Sequence, residues 1–164
     1  FNVTEDALVY TAAAAKLTLS ADAKRELMNA YLTLTPWPDA IDGLKQLKAS
    51  GVRIITIANF SHDMLRANAE HAGIADLFDD LLSTEANHTY KPDPRAYELG
   101  VERLGVKKED IVFAAFGGWD AYGAASFGYP TYWVNRFNLP AETLGIAADR
   151  TSNDFTGLLD FVLK

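Results

Sequence analysis

Short apolar runs alternate with amphipathic stretches along most of the chain, and this alternation predicts an α/β fold. Runs of strand length lie at residues 52–59, 80–83, 111–116 and 131–134, and helical spacing of apolar residues dominates between them. Strands separated by helices form right-handed βαβ units, so we expect a mostly parallel sheet. The Ile- and Val-rich run at 52–59 is typical of a strand that is buried on both faces.

The predicted helices have recognisable first and last residues. Two of them precede the first strand: residues 4–16, opened by Thr4, and residues 21–34, capped by Ser20. The sequence TPWP at residues 35–38 then breaks the chain and predicts a boundary or hinge. Further helices are expected at 39–50, 62–72, 94–104, 120–127 and 154–163.

Composition narrows the classes of function. The chain has 164 residues, 49% of them hydrophobic, which suits one globular domain with a sizeable core. Its net charge of -7, without a Lys/Arg cluster, argues against a nucleic-acid partner. No run approaches the ~18 apolar residues of a membrane span, so we expect no membrane partner. The lack of cysteine fits a reducing compartment, and we expect a cytoplasmic location.

The N-terminal residues bear on whether the chain has a signal peptide and whether it begins inside a longer protein. Residues 1–11 carry two acids and no base, so no secretory signal peptide is expected. The chain starts at Phe1 without a methionine, and one interpretation is that it begins inside a longer gene product.

Polar residues follow the first predicted strand directly. Asn59 ends the apolar run, at the carboxyl edge where open α/β sheets bind ligands. Ser61 is positioned to cap the next helix, whose N-terminus favours an anion. The pair therefore indicates either a pocket for a small anion or residues that only shape the turn.

Two charged residues are further candidates for a site. Lys91 lies in the sequence KPDP, where prolines restrict the backbone and favour a fixed lysine over an ordinary surface one. Asp120 follows a predicted strand and two glycines, and we expect it to cap a helix and to be able to pair with Lys91. Trp119 is predicted to be either core or one wall of an apolar pocket.

Metal and cofactor motifs are absent from the sequence. The three histidines, His62, His71 and His88, lack ligand spacing, and no acid follows Asp120 within residues 121–126. Neither Gly-rich phosphate-binding pattern occurs. We therefore expect no metal site and no cofactor.

Several blocks of sequence resemble one known family. They are TEDAL, IANFS, HAGIADLFDDLLS, YKPDPRAYELG and GGWDAYGAASFGYPTYWVNR. The chain resembles the haloacid dehalogenase superfamily and, within it, the L-2-haloacid dehalogenases of type II. The resemblance implies a Rossmann-like parallel core with a helical cap, in which residues 1–35 are the second half of the cap and 36–164 the core.

The resemblance also implies roles for individual residues. In the family, an aspartate at the end of the first core strand attacks the carbon that bears the halogen, and water hydrolyses the ester. Asn59 matches a residue that contacts substrate and halide, and Trp119 matches an aromatic position of the halide site. Lys91 matches the lysine that orients the nucleophile, and Asp120 the acid of the last motif. The substrate would be a small 2-haloacid or a similar small carboxylate.

This sequence departs from the family pattern. The segment with the nucleophilic aspartate and the cap arginine is absent, and Ala58, Ala115 and Gly117 replace polar residues of well-known members. We expect either a dehalogenase-type hydrolase present as an incomplete, inactive chain, or a catalytically silent domain that acts through self-association or partner binding. A phosphatase of the superfamily is disfavoured, because its Mg²⁺ needs further carboxylates.

The absent strand would lie in the middle of the family sheet, between the strands that lead to Asn59 and Asp120. Its absence exposes two strand edges, and such edges recruit partners. We expect the gap to be filled by a second chain in a homodimer, by a missing N-terminal segment, or by direct pairing of residues 52–59 with 111–116.

Overall fold

The structure, a computed structural model, describes residues 1–163. Within them, the α-helices are α1 (Asn2–Ala14), α2 (Ala21–Ala30), α3 (Pro38–Ala49), α4 (His62–His71), α5 (Pro94–Leu104), α6 (Gly118–Phe127) and α7 (Thr156–Val162). The strands are β1 (Ile55–Ala58), β2 (Asp80–Ser83), β3 (Phe113–Ala115), β4 (Thr131–Val134) and β5 (Arg150–Ser152). Short 3-10 turns lie at Ala75–Leu77, Thr84–Asn87 and Lys108–Asp110.

The strands form two separate parallel sheets. One pairs β1 with β2, and the other has the order β3-β4-β5. The predicted α/β class with parallel strands is confirmed. Of the three alternatives for the gap, direct pairing of the first strand with the third is wrong, because β1 pairs only with β2 and β3 only with β4 among the described residues. A second chain or a further segment in the gap stays a prediction.

Strand β1 differs from its prediction in length and burial. It begins at Ile55, and all four of its residues are half-buried rather than fully buried. One edge of β1 has no strand neighbour among the described residues, and its side chains stay partly accessible to solvent. Strand β4, which has a neighbour on each side, is buried at all four positions.

Helix boundaries follow the capping residues where these exist. Ser20 caps α2 and Ser61 caps α4, each accepting a backbone N–H of the first turn at 3.1 and 3.3 Å. Helix α1 begins at Asn2, not at Thr4, and has no side-chain cap. Gly105 and Gly128 end α5 and α6 in the left-handed conformation that favours glycine.

Three apolar clusters hold the elements together. The largest packs α5 and α6 on β3 and β4 around Tyr97, Phe113 and Trp133, with Ile57 of β1 at its margin. A second joins α3 to α7 through Leu44, Leu47 and the partly buried residues around Phe155. The third lies between β4 and α7. The core therefore sits mostly on the three-stranded sheet.

Helices α1 and α2 form a hairpin at one end of the molecule. Lys24 pairs with Glu5 across the hairpin at 2.5 Å, and α1 has no buried residue. The side chain of Asn68 on α4 donates to Tyr31 O at 2.7 Å and accepts from Leu34 N at 2.8 Å. This amide fixes the end of the hairpin segment to the β1–β2 half of the molecule.

In residues 1–163, no helix combines the length and the hydrophobicity that crossing a bilayer requires.

Candidate functional site

A buried ion pair joins the two sheets near the carboxyl ends of their strands. Lys91 Nζ lies 2.6 Å from Asp120 Oδ2, and the two side chains are only 10% and 9% exposed. Lys91 comes from the loop after β2, whereas Asp120 follows β3. The structure therefore brings together two residues that are separated by 29 positions and that follow strands of different sheets.

The loop around Lys91 is ordered by the start of α5. Asp93 caps this helix by accepting Arg95 N at 2.9 Å, and Pro94 occupies its first position. The nearby Arg95 guanidinium lowers the pKa of the Asp93 carboxyl to about 2. The loop thus ends in a capped helix terminus two residues after Lys91.

Asp120 lies inside helix α6 and not at its cap. The helix begins two residues earlier than predicted, with Gly117 as its cap, and the Gly117 carbonyl accepts the Asp120 N–H at 3.1 Å. The predicted capping role of Asp120 is therefore wrong. Its carboxylate still lies in the first turn, where the helix dipole favours a negative charge.

Tyr97 of α5 is a site residue that the sequence interpretation missed. Its hydroxyl donates to Asp120 Oδ1 at 2.8 Å, and its side chain is fully buried. Burial, followed by the charge of Asp120, raises the pKa of Tyr97 well above its usual value, so it remains a donor. The available signal was a tyrosine on the apolar stripe of a helix, because a buried hydroxyl needs a partner.

Close approach of α5 and α6 depends on a glycine. A Cβ at Gly123 would collide with the hydroxyl of Tyr97 and with Pro92. The absence of a side chain at this position lets the tyrosine reach Asp120. The backbone of Tyr97 is also held in place, since the Tyr129 hydroxyl donates to the Tyr97 carbonyl oxygen at 2.5 Å.

The side-chain amide of Asn59 contacts the backbone of Lys91. Its Oδ1 accepts the Lys91 N–H at 2.8 Å, and its Nδ2 donates to Lys91 O at 3.2 Å. The Thr84 hydroxyl donates to the same Oδ1 at 3.3 Å. Asn59 thus lies beside the ion pair, as its position after β1 suggested, with its amide engaged by the chain itself.

The remaining two predicted site residues, Ser61 and Trp119, make no side-chain hydrogen bond to Lys91 or Asp120 in the described structure. The Ser61 hydroxyl accepts Met64 N and so serves α4, as predicted for a cap. Trp119 is 47% exposed, so the core interpretation is wrong. Its indole nitrogen lies 2.8 Å from the point that a Cβ on Gly117 would occupy, so a larger residue there would displace the ring.

Three further aromatic rings are largely exposed and contact one another. Phe137 packs edge-on against both Phe116 and Trp37, with ring centroids 5.8 and 6.1 Å apart. All three rings are between 46% and 61% exposed. We call Trp37, Phe116 and Phe137 the aromatic patch.

The donor set at the ion pair does not fit a divalent cation. Both oxygens of Asp120 are engaged, one by Lys91 and one by Tyr97. Among residues 1–163, no three His, Cys, Asp or Glu side chains are grouped as a metal site would require. Mg²⁺ prefers several oxygen ligands, and here it would have to displace an ammonium group.

Two cavities of the described part of the chain do not include the ion pair in their walls. One of about 230 Å³ is lined by α4, β1 and residues 34–36, and the other of about 450 Å³ follows β2. Neither is lined by Lys91 or Asp120. The Thr56 hydroxyl, on the wall of the first, is buried without a hydrogen-bond partner in the described structure.

Comparison with known proteins gives the class of this fold and site. A sequence model described as haloacid dehalogenase-like hydrolase matches residues 3–128, which include Asn59, Lys91 and Asp120. The chain therefore belongs to the haloacid dehalogenase-like hydrolases.

Individual relatives narrow the class further. The chain is 40% identical to an (S)-2-haloacid dehalogenase of Pseudomonas sp. (strain YL), over 89% of this chain and 63% of that protein. It is 35% identical to (S)-2-haloacid dehalogenase H-109 of Pseudomonas putida, over 98% of this chain and 71% of the relative. The crystal structure of the L-2-haloacid dehalogenase RSc1362 superposes with a TM-score of 0.96 at 37% identity, covering 99% of this chain and 72% of that one.

Within the class, the chain belongs to the L-2-haloacid dehalogenase family. It spans 63% of the length of the Pseudomonas sp. (strain YL) relative and 60% of a second relative, from Pseudomonas fluorescens. The family and the fold are thus established, as the resemblance implied.

Proposed function

We propose that this chain carries the lysine–aspartate part of a hydrolase site of the (S)-2-haloacid dehalogenase type. The substrate would be a small 2-haloacid. The observation that supports this most strongly is the buried pair of Lys91 and Asp120, formed by the KPDPRAYELG and GGWD blocks in a chain of this family. The names of the relatives supply the substrate class.

The proposed reaction needs an attacking carboxylate. A carboxylate oxygen bonds to the carbon that bears the halogen, and the halide leaves with the electron pair of the broken bond. Water then attacks the ester carbonyl, which frees the carboxylate again and yields a 2-hydroxy acid and a proton. Asp120 is poorly suited to attack, because Lys91 and Tyr97 already engage both of its oxygens.

We therefore assign the attack to a carboxylate on a further strand between β1 and β3. Lys91 suits the task of orienting such a group. Its ammonium has three N–H donors, one of which is directed at Asp120, so it can also donate to a second carboxylate. The ring of Phe113, 5.3 Å from Nζ, provides a second favourable contact for the cation.

Other parts of the proposal follow from the family. Residues 1–35 would be half of a cap over the site, and residues 36–164 the core. Asn59 and Trp119 would face the substrate side, and Ser61 would contribute the N-terminus of α4. The cytoplasmic location stays a prediction that rests on the lack of cysteine.

A second candidate function is a silent domain that binds a partner or a second copy. The open edges of β1 and β3, together with the aromatic patch, favour it. Exposed edges and clustered aromatic side chains are both typical of surfaces that another chain covers.

Halide release from the two enantiomers of 2-chloropropionate tests the choice between a hydrolase and a silent domain. The chain is assayed alone and after co-expression with the part of the Pseudomonas sp. (strain YL) enzyme that has no counterpart here. We expect little release from the chain alone, release from the (S) enantiomer by the pair of chains, and loss of it in Lys91→Met. Co-purification of the two segments without halide release would contradict the hydrolase and support the silent domain.

A further inference from the structure

Thr84 is a buried hydroxyl whose role the family resemblance does not assign. It is the first residue of the 3-10 turn after β2, and only 1% of it is exposed. A buried hydroxyl is unfavourable unless it has a partner, and an apolar β-branched side chain would fill the same space without that cost. Its side-chain hydrogen bond goes to Asn59 Oδ1 at 3.3 Å.

Asn59 in turn holds the peptide groups on both sides of the Lys91 Cα. A backbone N–H can only donate, so the Lys91 N–H requires the oxygen of the amide, and Nδ2 then faces Lys91 O. The Thr84 hydroxyl supplies a second donor to this same oxygen, which favours the same orientation. The neighbouring Ser83 hydroxyl donates to Phe60 O at 2.7 Å and holds the next residue of the loop.

We propose that Thr84 is a positioning residue that acts on Lys91 through Asn59. The contacts run from the Thr84 hydroxyl to the Asn59 amide, and from that amide to the Lys91 backbone. They keep the lysine Nζ beside Asp120, even though the loop that carries Lys91 belongs to the more exposed sheet. The importance of this placement for catalysis rests on the proposed function; the placement itself does not.

The experiment compares amide hydrogen exchange by NMR in the unmodified chain and in Thr84→Val, Thr84→Ser and Thr131→Val. Thr131 is the matched control, because it is fully buried and its hydroxyl also has one partner, Tyr129 O at 2.8 Å. We expect exchange at the Lys91 amide to rise about tenfold in Thr84→Val, as for the loss of one buried hydrogen bond. Thr84→Ser, which keeps the donor, is expected to restore slow exchange.

The control separates positioning from general loss of stability. Thr131→Val is expected to lower the unfolding midpoint without a specific change at Lys91. Equal changes at Lys91 in both valine variants, or no change in either, would overturn the proposal. Because the readout needs no turnover, its failure is distinguishable from failure of the hydrolase proposal, which the Lys91→Met assay tests.

Discussion

The two sheets of this molecule are built from the same kind of strand and end up in different environments. Strand β4 is buried at all four positions, between β3 and β5 and beneath α7. Strand β1 has a comparable apolar sequence but is half-buried throughout, with a neighbour on one edge only. The burial of these two strands thus differs more than their own sequences do, and it follows what packs around each of them.

The candidate site lies where these two regions meet. Asp120 comes from the well-packed region and is held by Tyr97 in the largest apolar cluster. Lys91 comes from the region around β1 and β2, where hydrogen bonds from Asn59 hold its backbone. One partner is thus positioned by packing and the other by polar contacts.

Alanine substitutions of two tryptophans are expected to give the largest difference in the free energy of unfolding. Trp133→Ala removes a buried ring of β4 and its indole hydrogen bond to Phe116 O, and should lower the free energy of unfolding by about 4 kcal/mol. Trp119→Ala should cost below about 1 kcal/mol, because the ring is largely exposed. Urea unfolding measures both. Equal losses would contradict the difference in packing.

Asp120→Ala breaks the contact between the two regions. It leaves a nearly buried ammonium group without its carboxylate, which should cost about 3 kcal/mol. The control Asp63→Ala removes an exposed pair with Arg66 and should change stability by about 0.5 kcal/mol at most. Urea unfolding of both variants is the measurement, and a small effect at Asp120 would show that the pair is open in solution.

Alanine substitutions in β4 and β1 compare the packing of the two sheets directly. Val134→Ala on β4 should cost about 2 kcal/mol, because the site is closed on all sides. Ile55→Ala on β1 removes one more carbon atom but should cost only about 1 kcal/mol, since part of that surface is already in water. If thermal and urea unfolding show the larger loss at Ile55, then β1 is covered in solution, which would favour a partner in the gap.

The smallest predicted effect is a pH dependence at the Asp39–Arg136 pair. The Arg136 hydrogen bond, at 2.7 Å, lowers the pKa of Asp39 below its usual 3.8. A lowered pKa in the folded state contributes stability that is present above the ordinary value and is lost as the pH falls through the folded one. Asp39→Asn should therefore be less stable at pH 6, with a difference that shrinks below about pH 4.

The pH experiment needs a charge control. Asp22→Asn removes a carboxylate from an exposed pair with Arg25 and reports the general effect of one lost charge. A difference between Asp39→Asn and the unmodified chain that is constant from pH 6 to pH 3 would contradict the prediction.

Local signals explain how much of the fold could be predicted. The spacing of apolar residues and the capping residues predicted the ends of α4 and α5 to within one residue. The apolar runs predicted the observed ends of β2 and β4. Strand β5 was missed, because Arg150–Ser152 has no apolar residue and forms only by pairing with β4. The late start of β1 reflects pairing as well, since a ladder begins where the partner strand begins.

The candidate site was predictable in part for the same reason. Lys91 and Asp120 stand next to strand ends and in recognisable sequence blocks, so their convergence was a reasonable expectation. The role of Thr84 and of Tyr97 depends on contacts between α5, α6 and two loops, which no single segment encodes. For Trp119 the sequence left core and pocket wall open, because the exposure of a ring depends on distant segments that pack against it.

The contact between α3 and α7 bears on when this protein can fold during synthesis. Asp39 at the start of α3 accepts the N–H of Phe155, 116 positions later, and the Phe155 ring packs where Gly43 has no side chain. Helix α3 therefore leaves the ribosome long before the residues that cover it are made. This part of the core cannot close until Phe155 has been made, so until then the nascent chain carries an uncovered apolar helix that chaperones can bind.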